Sequence, residues 1–68
     1  MSYKALRHMT MDRAGDAHLY MLTQRTTDGF FYFYHLVNGS VQSKTNLGKD
    51  EAEAITNFDQ TVRETLNS

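Results

Sequence analysis

The chain has no cysteine, no proline and no tryptophan, and only four glycines among its 68 residues. Without cysteine, disulfides and thiolate metal sites are excluded, and a reducing compartment fits. No Ser lies in a Gly-x-Ser-x-Gly elbow, and there is no glycine-rich phosphate loop. The longest near-apolar run, Phe30–Val37, is too short to span a bilayer. Met1-Ser2-Tyr3-Lys4 leads into no apolar stretch, so a signal peptide is not expected. These absences predict no membrane association and a cytoplasmic location.

Charge of either sign is also scarce. The net charge is −1, which argues against a general nucleic-acid coat. Its distribution is uneven. Residues 1–49 hold six Lys or Arg against Asp12, Asp16 and Asp28, a balance of +3. Residues 50–68 hold Arg63 against Asp50, Glu51, Glu53, Asp59 and Glu64, a balance of −4. The acidic part reads as the solvated face of a helix.

What is present is a globular composition, 40% hydrophobic and 22% charged, in a chain with room for one domain spanning residues 1–68. A domain this short has a single small core, worth roughly 3–5 kcal/mol. A second copy of the chain is the supplement left to consider.

Punctuation sets the order of elements. Asp28-Gly29 and Asn38-Gly39 are hairpin signals, because both central residues of a type I′ turn need φ > 0. Residues 12–17 form a polar loop, and Gly48 precedes a helix. Strands are predicted near Tyr3–Met11, Ala17–Thr26, Phe30–Val37 and Ser40–Leu47, with helix from Glu51 to about Leu66. Asp50 is the expected N-cap, with Glu53 three residues on. Ala54, Ile55, Phe58, Val62 and Leu66 recur at helical spacing and make one apolar stripe. The fold class is therefore α+β: a four-stranded antiparallel meander followed by one C-terminal helix packed on one sheet face, ββββα.

Two-residue turns at both Gly sites fix a register and sort the side chains by face. One face collects Leu19, Met21, Phe30, Tyr32, Tyr34, Leu36, Val41, Thr45 and Leu47, joined by Tyr3, Ala5, Met9 and Met11. The other collects Tyr20, Leu22, Phe31, Phe33, His35, Val37, Gln42, Lys44 and Asn46. The first is expected to meet the helix stripe as core. The second should then be solvated, since one helix covers one side of a sheet. It carries more aromatic surface than scattered exposed residues explain.

Chemistry is bounded mostly by what fails to cluster. Paired carboxylates occur only where the helix needs capping. His8, His18 and His35 show no metal-ligand spacing and read as ordinary strand histidines, with His35 among the second-face aromatics. No catalysis, cofactor or metal is expected. The second face admits three readings: a protein interface, including a homodimer; a single-stranded nucleic-acid platform; or a surface covered by the first strand or the 12–17 loop. The first is favoured. The expected partner-binding residues are Tyr20, Phe31, Phe33 and His35, with Gln42 and Lys44 at the rim. A small regulator or inhibitor of a larger protein, of the kind phages and mobile elements encode, fits such a chain by its size.

The order ββββα with a basic sheet resembles, in layout only, a class of transcriptional-coactivator single-strand binders and WGR domains. The Trp-Gly-Arg signature is absent, and Lys44-Thr45-Asn46-Leu47-Gly48-Lys49 matches the turn before the helix only vaguely. No functional residue carries over.

Overall fold

A computed structural model describes residues 2–67. The strands are β1 (Tyr3–Arg13), β2 (Asp16–Arg25), β3 (Phe31–Val37) and β4 (Ser40–Asn46), followed by helix α1 (Glu51–Leu66). They form one antiparallel sheet in the order β1-β2-β3-β4, so the expected meander and its C-terminal helix are present. Asp50 caps α1: its Oδ1 accepts from the Glu53 backbone N–H at 3.0 Å. That satisfies one of the four donors a helix N-terminus leaves free.

The three turns differ from expectation in two places. Asn38-Gly39 is the two-residue turn foreseen, with φ of 51° and 86°. The first connection is not a loop over 12–17 but an equally tight turn at Ala14-Gly15, with Arg13 opposite Asp16. Conversely, Asp28-Gly29 lies in a wider loop. Arg25 donates its N–H to the Phe30 carbonyl, and the Gly29 N–H donates to the Arg25 carbonyl. The Asp28 carboxylate explains the widening. It accepts from the Phe30 N–H at 3.1 Å and from Arg25 Nε at 3.0 Å, so a side chain, not a strand, satisfies the turn. The register of β2 on β3 thereby moves by two residues, and an even shift leaves every side chain on its face.

The face covered by α1 is the reverse of the one expected. Tyr20, Leu22, Phe31 and Phe33 are buried in one cluster with Ala54, Phe58 and Val62 of the helix. Leu6, Met9, Met11, Leu47 and Ile55 flank it. Along β3 the sequence alternates Phe31, Tyr32, Phe33, Tyr34. Two phenyl rings on the helix side bury no polar atom, whereas two phenols there would bury hydroxyls that need partners. The helix therefore lies on the phenyl side. Leu66 of the expected stripe stays 56% exposed.

Two β-bulges complete the register. In β1 the pairing steps from Ala5 to Arg7, leaving Leu6 as the extra residue. In β4 it steps from Val41 to Ser43, leaving Gln42 as the extra residue. The second bulge is an odd shift and exchanges the faces beyond it. Lys44 stands opposite Tyr34 and Thr45 opposite Phe33, the reverse of what an unbroken ladder gives.

Candidate functional site: the uncovered sheet face

With α1 on one side, the opposite side of the sheet carries Leu19, Met21, Thr23, Tyr32, Tyr34, Leu36, Val41 and Lys44, and Tyr3 and Ala5 from β1. A shallow hollow of about 300 Å³ sits at its centre, lined by Tyr3, Met21, Thr23, Tyr34, Leu36 and Val41. Tyr3 is 42% and Val41 57% exposed, the large hydrophobic groups most open to water there. The Thr23 hydroxyl at the floor is buried without a hydrogen-bond partner.

One margin of this face is cationic. Lys44 Nζ lies 4.7 Å from the Tyr32 ring centre and 5.7 Å from that of Tyr34. The Arg25 guanidinium lies 5.0 Å from Tyr32 and donates to its hydroxyl at 2.7 Å. Lys49 Nζ stands 4.8 Å from the Phe30 ring. Each cation faces the negative side of an aromatic quadrupole. Arg25 also pairs with Asp28. That hydrogen bond holds the Asp28 carboxyl below the usual carboxylate range and pushes the Arg25 guanidinium further up.

The predicted contact residues do not gather on this face. Tyr20, Phe31 and Phe33 belong to the core beneath α1, with Phe31 1% exposed, so in this fold they offer no surface to a partner. His35 is half-buried on the same side, its ring stacked 4.6 Å from Tyr20. Gln42 is the exposed bulge residue, and Lys44 alone of the six reaches the uncovered face. Met21, Tyr34, Leu36 and Val41 share one face as expected, but it is the face away from α1. Within β3 the Phe–Tyr alternation is the signal that distinguishes the sides: Phe31 and Phe33 lie beneath α1, and the Tyr32 hydroxyl on the other side meets Arg25.

No group of three or more His, Asp or Glu side chains able to hold a metal occurs among the described residues. No helix among them is long and apolar enough to cross a membrane. Compared with protein-family models, curated proteins and solved structures, the chain matches none.

Proposed function

We propose that this protein is a non-catalytic binding module that works through the uncovered sheet face, and that it self-associates there. The observation that carries the reading is the apolar hollow bounded by Met21, Tyr34, Leu36 and Val41 on the side that α1 leaves open. Interface cores favour aromatic and Met side chains and exclude charge. Here Lys44 and the Arg25–Asp28 pair lie along one margin, and Asp12 stands at the other end, beside Leu19 and Leu36.

Size supports a second copy as occupant. Four strands at about 4.8 Å spacing, seven to eleven residues long, present roughly 500 Å² of sheet. Two such faces bury about 1,000 Å², the lower bound for a specific interface, so a dimer of modest affinity is expected. Self-association also supplements a core of this size. As a regulator or inhibitor, the chain then acts on a larger protein partner that meets the same face.

Light scattering after gel filtration tests the reading. The mass should rise from 7.8 kDa towards twice that value with concentration, and Val41→Lys should hold it at the monomer. A monomer of wild type at millimolar concentration rejects self-association.

One observation favours a second reading, single-stranded DNA or RNA on this face. Phe30 and Tyr34 are partly exposed, each beside a cation. Bases stack on such rings while Lys and Arg follow phosphates. An oligonucleotide titration should then shift the Tyr34 and Lys44 amides at low salt and release them at high salt. Absence of shifts at low salt rejects this reading.

A further inference from the structure

His18 and His35 are neighbours on the opposite side of the sheet, the side that carries α1. His18 Nδ1 and His35 Nε2 are 2.9 Å apart. Their ring planes differ by 14° and their centroids are 5.2 Å apart. That separation is what a linear nitrogen-to-nitrogen bond plus the two ring radii gives. The imidazoles therefore meet edge to edge, joined by a hydrogen bond, and are not stacked face on face.

Such a bond constrains how many protons the pair can hold. One nitrogen donates its proton and the other accepts with its lone pair. A first added proton goes to the outer nitrogen of the donor ring and leaves the bond in place as a charge-assisted one. A second must occupy the accepting lone pair. It removes the bond and sets two positive rings against each other.

The bond is coupled to the core. His35 stacks on Tyr20 at 4.6 Å, Tyr20 meets Phe33 edge-on at 6.3 Å, and Phe33 meets Phe58 of α1 at 5.1 Å. His35 also borders a half-open cavity of about 390 Å³ with Ser43, Thr61 and Thr65. The groups facing the pair are nearly all neutral. From β1 they are Met11, opposite His18, with Asp12 beside the same end of the sheet. Arg13 donates to the Thr65 carbonyl at the end of α1. From β2 comes Tyr20, from β4 Ser43, and from α1 Thr61 and Thr65. Among the described residues, no carboxylate forms an ion pair with either imidazole.

We propose that the His18–His35 pair is a proton-operated latch, which closes the far end of the core while it carries at most one added proton and releases the last turns of α1 when it carries two. Burial, and then the charge of His18, hold the His35 imidazole below its ordinary value. The sign follows. The unfolded chain binds more protons than the folded one below about pH 6.5, so stability falls as pH falls through that region. The slope reaches a tenfold rise in the unfolding equilibrium constant per pH unit for each extra proton the unfolded chain binds.

The test combines urea unfolding between pH 7.5 and 5.5 with amide exchange along α1. In wild type the unfolding constant should climb as pH falls, with exchange at residues 61–66 accelerating before that at 51–57. His18→Gln removes the second charge and should make the climb shallower, leaving the part that burial of His35 supplies, whereas His8→Gln should leave the wild-type slope. Equal slopes in wild type and His18→Gln, or uniform acceleration along α1, overturn the latch.

Discussion

Replacing Phe31 with alanine tests the assignment of the two faces directly. Phe31 is 1% exposed, and its ring sits in the cluster with Leu22, Phe58 and Val62. Removing a buried phenyl costs about 3–5 kcal/mol, combining lost transfer free energy with the cavity left behind. A folded chain has about 0.05–0.15 kcal/mol of stability per residue, so 68 residues give roughly 3–10 kcal/mol. The loss is then about a third of the total at the least, and all of it at the most. With a urea slope of about 1 kcal/mol/M, the midpoint should fall by roughly 3 M or vanish. Far-ultraviolet circular dichroism against urea is the assay, at a concentration low enough to keep the protein monomeric. Val41→Ser is the control from the other face. Val41 is 57% exposed, and the change should move monomer stability by no more than about 0.5 kcal/mol. If Phe31→Ala unfolds cooperatively within about 0.5 M of wild type, α1 does not lie on the phenyl side and the argument from ring chemistry fails.

Three further outcomes follow from individual groups. Thr23→Val keeps the shape of a side chain whose hydroxyl is buried without a partner, and should raise the unfolding free energy by about 1–3 kcal/mol in the same urea assay. Asp50→Ala removes the acceptor of the Glu53 N–H and should cost about 1 kcal/mol, with exchange fastest in the first turn of α1. Asp28 is held below the usual carboxylate range by Arg25, so its contribution is present above the unfolded value of 3.8 and lost as pH falls through the folded value. Acid unfolding of Asp28→Asn should therefore be shallower than that of wild type below pH 3.8.

Much of the fold was legible because local chemistry agrees with global topology. Asn38-Gly39 can form a tight turn wherever it lies, and Asp50 three residues before Glu53 caps a helix on its own terms. The composition of each face of β2 and β3 was also readable, because the misjudged Asp28-Gly29 loop shifted register by an even number. Two features were not readable. The bulge at Gln42 has no Gly or Pro to mark it, and it moved Lys44 across the sheet. The side chosen by α1 depends on which of two aromatic rows buries with least polar penalty, a comparison between long-range packings that the helix stripe alone does not decide. The candidate site inherits that error for three of its six residues: Tyr20, Phe31 and Phe33, expected as surface, lie in the core, while Lys44 reaches the open face.

The bulges at Leu6 and Gln42 fall on β1 and β4, which are the two outer strands of the sheet. An outer strand with unpaired backbone groups is a template for another chain, and stacking by such edges has no natural end. A bulge interrupts the row of donors and acceptors and twists the edge away from a straight neighbour. Both borders of this sheet carry that interruption, and β1 adds Lys4, Arg7 and His8. Sideways growth into a ribbon is obstructed at each end, whereas pairing face to face closes after two copies and goes no further. The same two extra residues that disturb the ladder thus favour a closed pair over an open fibre.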